Sequence, residues 1–201
     1  MPPSPPAATG TGFLQMCRAV RKRLPEGRYR HSLGVARTAE RLARRYGVSR
    51  ARARVAGVLH DIARHWSPED LLGYARRHRL RVDPSDEAAP VLLHARVAAD
   101  LARREFGVDD RDVLSAIATH TVAEPGMSPL QKILFVADAC EPSRLFADRA
   151  ALERAALRSL DDGMLACIAS TLDYFRERGI AAAPQTMEVY TQLVKSNGSP
   201  S

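Results

Sequence analysis

A histidine and an aspartate stand side by side inside an apolar run, Val55-Ala56-Gly57-Val58-Leu59-His60-Asp61-Ile62. Any fold that buries this run must also supply partners for the two polar side chains, because a desolvated imidazole or carboxylate without one is costly. Three more histidines and one more aspartate carry the same constraint. His31 shares a stripe with Val35, Thr38 and Leu42, His94 with Val97, Ala98 and Leu101, and His120 with Val113, Ala116 and Ile117. These spacings of three and four residues place each histidine on the apolar face of a helix. Asp138 lies within Ile133-Leu134-Phe135-Val136-Ala137-Asp138-Ala139, where an unpaired carboxylate would be equally costly. One shared metal site explains six such inward side chains more simply than six separate accidents do. Taken singly, each has a plainer alternative: a satisfied core histidine, a helix-end histidine favoured by the dipole at His120, or an arginine partner for Asp138. His65 and His78 sit in polar settings, Arg64-His65-Trp66 and Arg76-Arg77-His78-Arg79, and are expected to be solvated. They serve as internal controls.

Ala, Leu and Arg dominate the 201 residues, aromatics are 5%, and no run alternates with period two. The chain is therefore expected to be all-α, a single domain spanning residues 13–195 between tails at 1–12 and 196–201. Helices are predicted over Phe13–Leu24, Gly27–Tyr46, Ser49–His65, Ser67–His78, Pro90–Phe106, Asp110–His120, Ser128–Cys140, Arg149–Arg178 with a break at Gly163, and Pro184–Val194. Capping residues (Ser49, Ser67, Ser128), prolines at first helical positions and the glycines 47, 107 and 179 set these limits. Arg79 to Ala89 has no period and is predicted to be a loop. Gly57 costs helix stability, so it is expected to clear volume beside His60 and Asp61. Adjacent helical residues diverge by about 100°, so these two can serve different positions of a two-metal centre, the carboxylate bridging.

The net charge of +7 permits an anionic partner. The excess is arginine scattered over helix faces, with Lys22, Lys132 and Lys195 the only lysines, so nucleic acid is not the expected partner. Cys17, Cys140 and Cys167 are three at wide spacings, which suggests neither a disulfide framework nor a thiolate metal site. The opening MPPSPPAATGTG lacks the basic start and apolar stretch of a signal peptide, and no apolar run is long enough to span a bilayer. A cytoplasmic protein without a membrane partner is expected, its N-terminal tail disordered.

The order His31, His60-Asp61, His94, His120, Asp138 resembles the HD-domain metal-dependent phosphohydrolase superfamily. Within it, four segments are similar to the YqeK-type symmetrical bis(5′-nucleosyl)-tetraphosphatases: Tyr29-Arg30-His31-Ser32-Leu33-Gly34-Val35; Ala56-Gly57-Val58-Leu59-His60-Asp61-Ile62-Ala63; His120-Thr121; and Met127-Ser128-Pro129-Leu130-Gln131-Lys132-Ile133, followed by Ala137-Asp138-Ala139-Cys140-Glu141-Pro142-Ser143-Arg144. The likeness covers about Tyr29 to Tyr190. It departs at Ala95, where the family has glycine after the histidine, and at Gln131, where an acid usually precedes the lysine. Gln131 also completes the capping box that begins at Ser128, so it is expected to serve the helix start.

The resemblance implies an HD-type helical bundle in which His31, His60, Asp61 and Asp138 hold one metal while Asp61 bridges to a second held by His94 and His120. It implies two divalent ions, iron first and manganese, zinc or nickel as alternatives, and imidazole with carboxylate suits these metals. It implies symmetrical cleavage of diadenosine tetraphosphate or related dinucleoside polyphosphates to two nucleoside diphosphates by a metal-activated water. Asp61 would take part in the chemistry, and Lys132 and Arg144 are the candidate phosphate clamps, with Arg30 a lesser one. Exposed helix-end charge is the competing account of both clamps. Two alternatives stay open: another HD-type nucleotide phosphohydrolase acting on mononucleotides, deoxynucleoside triphosphates or alarmones, and a non-catalytic arginine-rich scaffold that binds RNA or protein. The sequence also leaves a homodimer open.

Overall fold

Helix-start signals in the sequence are the ones the backbone uses. The computed structural model describes residues 12–144 and 149–198, which form α-helices and one 3-10 turn with no strand among them. The helices are α1 (Phe13–Arg23), α2 (Glu26–Arg45), α3 (Arg50–Leu59), α4 (Pro68–Arg77), α5 (Pro84–Ala88), α6 (His94–Phe106), α7 (Arg111–Thr119), α8 (Pro129–Cys140), α9 (Arg149–Arg158), α10 (Leu160–Arg178) and α11 (Pro184–Gly198). The 3-10 turn Pro90–Leu93 leads into α6. Ser49, Ser67, Asp110, Ser128 and Ser159 each accept a backbone N–H of the helix they start. At Ser128 the bonding is reciprocal, because Gln131 Oε1 accepts from Ser128 N at 2.8 Å. Gly107 ends α6 in the left-handed conformation, at φ 65°.

The expected all-α fold is the observed one, with shifts at particular boundaries. The third helix stops at Leu59 rather than His65, and residues 60–66 continue in turns whose N–H groups reach back three residues, as in Ile62 N to Leu59 O and Arg64 N to Asp61 O. His60 and Asp61 therefore leave the helix in a tighter coil than an α-helix. The predicted loop 79–89 contains the short α5, and the last helix runs past Val194 to Gly198. The predicted N-terminal tail lies almost wholly outside the described residues. The expected break at Gly163 falls instead at Ser159, which caps α10. Gly163 lies inside α10, where a Cβ would stand 2.8 Å from the Cα of Ala156; the missing side chain brings α9 and α10 together.

Helix α2 packs on α3 and α8, α3 and α8 both pack on α7, and α6 lies against α7. The α2–α3 crossing is close because of Gly57, where a Cβ would be 2.5 Å from the Cα of Ala36. This corrects the expectation that Gly57 makes room for His60 and Asp61: it makes room for the neighbouring backbone. The apolar stripes named from the sequence form the core, with Val35, Leu42, Val97, Ala98, Ala116 and Ile117 all buried. Fully burying a side chain such as Leu42, Leu59 or Ile133 stabilises the fold by roughly 1.5–3 kcal/mol each. Cys17, Cys140 and Cys167 are free and buried, acting as apolar filler. None of the helices among the described residues is long and apolar enough to cross a membrane.

Candidate metal centre

Each of three histidines in the core stands where a helical segment ends. His60 follows α3, His120 follows α7, and His94 follows the 3-10 turn. Carbonyls near a helix end have no partner within the helix, and each imidazole uses one of them. Nδ1 of His60 donates to Gly57 O at 2.8 Å, Nδ1 of His120 to Ile117 O at 2.8 Å, and Nδ1 of His94 to Val91 O. All three acceptors lie three residues upstream. The fourth histidine, His31 within α2, turns Nδ1 to the carboxylate of Glu141 at 2.9 Å. With every Nδ1 proton occupied, each Nε2 is left to present a lone pair inward.

The inward atoms converge on Asp61 and Asp138. Asp61 Oδ1 lies 3.1 Å from His94 Nε2 and 3.7 Å from His120 Nε2, while Oδ2 lies 3.6 Å from His60 Nε2 and 3.8 Å from His31 Nε2. One carboxylate thus faces a pair of histidines with each oxygen. Asp138 Oδ1 closes the His31–His60 side, 2.9 Å from His31 Nε2 and 3.7 Å from His60 Nε2. Across the centre the Nε2 atoms of His94 and His120 are 3.1 Å apart. Two three-residue groups have donor atoms close enough to share an ion, His31–His60–Asp138 and His60–Asp61–His120. Nε2 of His31 and of His60 are buried without a hydrogen-bond partner, since Asp138 approaches His31 closely but off the bonding direction. Two orphaned lone pairs aimed at the same space, within a nitrogen and oxygen donor set, fit divalent metal.

Electrostatics follow from this crowding. Burial alone would raise Asp61, yet the imidazoles of His60, His120 and His94 hold it well below the usual carboxylate range. Burial acts the same way on Asp138, and His31, His60 and Arg144 outweigh it. Burial opposes the charged form of His31, but Asp138 and Glu141 raise its pKa; for His60, Asp61 and Asp138 do so. His94 goes the other way, lowered by burial despite its bond to Asp61. Without metal the centre thus keeps both carboxylates ionised and draws protons to the His31–His60 side, protons that a divalent ion would displace.

All six candidate ligands meet, and so does Arg144. Arg144 donates to Asp138 Oδ1 at 2.6 Å and to the Asp138 carbonyl at 3.0 Å. The structure does not bring Lys132 to the centre. Lys132 Nζ pairs with Asp161 Oδ1 at 2.5 Å and lines a small separate cavity. Arg30 is exposed and bonds Glu26. His65 is exposed, and His78 stacks on Tyr74 with ring centroids 4.1 Å apart, so both controls lie outside the groups. Gln131 serves its cap and also donates to Thr119.

Three residues escaped the sequence reading. Arg28 donates to Asp61 Oδ2 at 3.1 Å, and Arg64 lines the same cavity. Glu141, buried, is held below its ordinary value against the effect of burial by the hydroxyl and N–H of Ser143 and by His31. The cavity over the centre has a volume of about 520 Å³. Arg28, Arg64 and Arg144 are on its wall, and Phe135, Ile168, Phe175 and Ile180 form an apolar flank.

The HD-domain family model matches residues 28–143, the span that holds all six candidate ligands. The symmetrical bis(5′-nucleosyl)-tetraphosphatase of Bacillus subtilis (strain 168) is 34% identical over 178 residues, covering 89% of this chain and 95% of that protein. The protein of the same name from Halalkalibacterium halodurans is 34% identical over 178 residues, with 87% and 93% covered. A crystal structure from Clostridium acetobutylicum, a predicted HD superfamily hydrolase involved in NAD metabolism, superposes with a TM-score of 0.87 at 33% identity, covering 92% of this chain and 98% of that one. The six residues that meet at this centre, Asp61 among them, therefore belong to a metal-dependent hydrolase, and the chain is a member of the HD-domain family, grouping with its symmetrical bis(5′-nucleosyl)-tetraphosphatases.

Proposed function

We propose that this hydrolase cleaves dinucleoside tetraphosphates, diadenosine tetraphosphate among them, between the second and third phosphates to give two nucleoside diphosphates. The observation that carries the reading is the split carboxylate of Asp61, one oxygen toward His94 and His120 and the other toward His31 and His60, at the floor of an arginine-lined cavity. The names of the relatives support the substrate class.

The residues divide the work. His31, His60, Asp61 and Asp138 would hold one divalent ion, and Asp61, His94 and His120 the other; iron heads the candidates, with manganese, zinc and nickel suited to the same donors. Such ions, when bound, lower the pKa of a water toward neutrality and screen phosphate charge. Glu141 and the three backbone carbonyls accept from Nδ1, which orients each ring so that Nε2 is the nitrogen turned into the centre. Arg28, Arg64 and Arg144 receive the polyphosphate oxygens, and the charge growing on the departing diphosphate falls to them. Arg144 is pre-positioned for this role by its two bonds to Asp138. Cys167 lines the cavity as a protonated thiol, its pKa pushed far up by burial, and takes no ligand role.

Chromatography of an early time point tests the reading. Metal-loaded protein should turn diadenosine tetraphosphate into ADP alone. ATP with AMP, or faster turnover of a mononucleotide, would overturn it.

A further inference from the structure

A second cavity, of about 390 Å³, adjoins the one over the metal centre, and the two share Leu92, Thr121, Val122 and Ala183 in their walls. It opens on the His94–His120 side, since Leu92 and Thr121 are close sequence neighbours of those residues. Phe135, in the apolar flank of the first cavity, is one helical turn from Asp138 on α8, and neither Phe135, Ile168, Phe175 nor Ile180 lines the second cavity. Resting on the proposed dinucleotide substrate, we infer that this second cavity binds the second nucleoside, so that the polyphosphate runs across the metal centre with a nucleoside site at each end.

Charge distinguishes the two cavities. Over the metal centre Arg28, Arg64 and Arg144 stand against Asp61 and Asp138, and bound metal makes the balance more positive. In the adjoining cavity Arg81 and Arg96 face Asp83, Asp86 and Glu124. Both arginines are already engaged: Arg96 bonds Asp83 Oδ2 at 3.1 Å and the buried Asp86, and Arg81 bonds Asp83 Oδ1 at 2.7 Å. Two arginines against three carboxylates leave this wall with an excess of negative charge, which disfavours phosphate. An uncharged nucleoside has suitable partners, with carboxylates to accept ribose and amino hydrogens, the Gln185 amide to donate and accept along a base edge, and Leu92, Val122 and Pro125 for apolar contact. The volume falls within the range of small-molecule sites, which begins at about 300 Å³.

A symmetrical cut gives this placement its purpose. Breaking the bridging P–O bond midway along four phosphates leaves two phosphates on each nucleoside, and two flanking nucleoside sites select the register that brings one of the two inner phosphorus atoms over the metal centre.

The experiment compares two substrates that differ by one nucleoside, diadenosine tetraphosphate and adenosine 5′-tetraphosphate, on metal-loaded wild type and on Gln185→Trp. Gln185 is exposed at the start of α11, so an indole there fills the cavity without disturbing the core. Wild type should show a KM for the dinucleotide at least about tenfold below that for the mononucleotide, and Gln185→Trp should remove most of that difference by raising the dinucleotide KM alone. Inhibition by ADP should keep its Ki in the variant, an equilibrium readout of the first cavity that also certifies the fold. Gln185→Ala should give a smaller change in the same direction. Equal KM values in the wild type, or a parallel loss on both substrates in Gln185→Trp, would overturn the second nucleoside site while leaving the cleavage reaction standing. Hydrolysis of neither substrate by the wild type would overturn the proposed function, and this inference with it.

Discussion

Gly34 and Glu141 occupy mutually exclusive space: a Cβ at position 34 would lie 2.3 Å from Glu141 Oε2. The bare backbone of α2 thus admits the carboxylate that fixes the ring of His31, one helical turn away on the same helix. Gly34→Ala should improve helix propensity by up to about 1 kcal/mol and yet displace Glu141. Disrupting such a supporting carboxylate weakens metal affinity or activity about 10–100-fold. Metal titrations of Gly34→Ala and Glu141→Gln should show parallel losses; wild-type affinity in both would refute the coupling.

Asp61 offers one oxygen to each histidine pair, so Asp61→Ala should lose both ions. His94→Ala and His120→Ala should each release one ion and retain the other. His65→Ala and His78→Ala should keep metal content and rate near wild type. Elemental analysis of the five purified variants checks this, and equal losses at all four histidines would remove the basis for the ligand assignment.

Helical spacing pointed to the candidate ligands because His31, His94 and His120 each belong to a stripe whose other members had to be buried, and His60 lies in an apolar run. The same logic, applied more strictly, would have excluded Lys132: six residues separate it from Asp138, which at about 100° per residue places it about 120° around α8. Arg28 and Arg64 were hidden by composition, because in a chain with arginine on most helix faces a single arginine carries no positional signal. The bond from His31 to Glu141 spans 110 residues, and no local pattern encodes it. The early end of α3 was hidden as well, since the apolar run continues through Ile62 and Ala63, which are buried in turns as fully as they would be in a helix.

Arg144 and Lys132 separate the two phosphate-clamp candidates. Arg144→Ala should lower kcat about 10²-fold, as expected where a donor serves charge that grows in the transition state, with a smaller effect on KM. Arg144→Lys should not rescue it, because the fork that spans the Asp138 carboxylate and carbonyl is lost. Lys132→Ala should leave both constants within about twofold, since the bond it breaks is to Asp161 on another face. Steady-state kinetics on diadenosine tetraphosphate decides, and a large kcat loss in Lys132→Ala would reverse the assignment.

Asp100 offers a test of pH dependence away from the metal. Its buried carboxylate accepts from Tyr74 Oη at 3.0 Å, from Arg104 at 2.6 Å and from Arg103 at 3.2 Å. Burial would raise its pKa, but Arg104, Tyr74 and Arg103 hold it below the ordinary value, while burial and Asp100 push the Tyr74 hydroxyl up to about 12. A carboxyl depressed in the folded state contributes stability above its unfolded pKa of about 3.9, and that contribution disappears as pH falls through the folded value. Asp100→Asn should therefore lower stability by about 2 kcal/mol at pH 7, the scale of hydrogen bonds to a charged group. Urea unfolding of wild type and variant should show that difference nearly constant from pH 7 to 5 and shrinking below about pH 4, where the unfolded carboxyl takes up a proton while the folded one still resists it. A gap that persists unchanged at pH 3 would mean that the network acts through packing rather than charge.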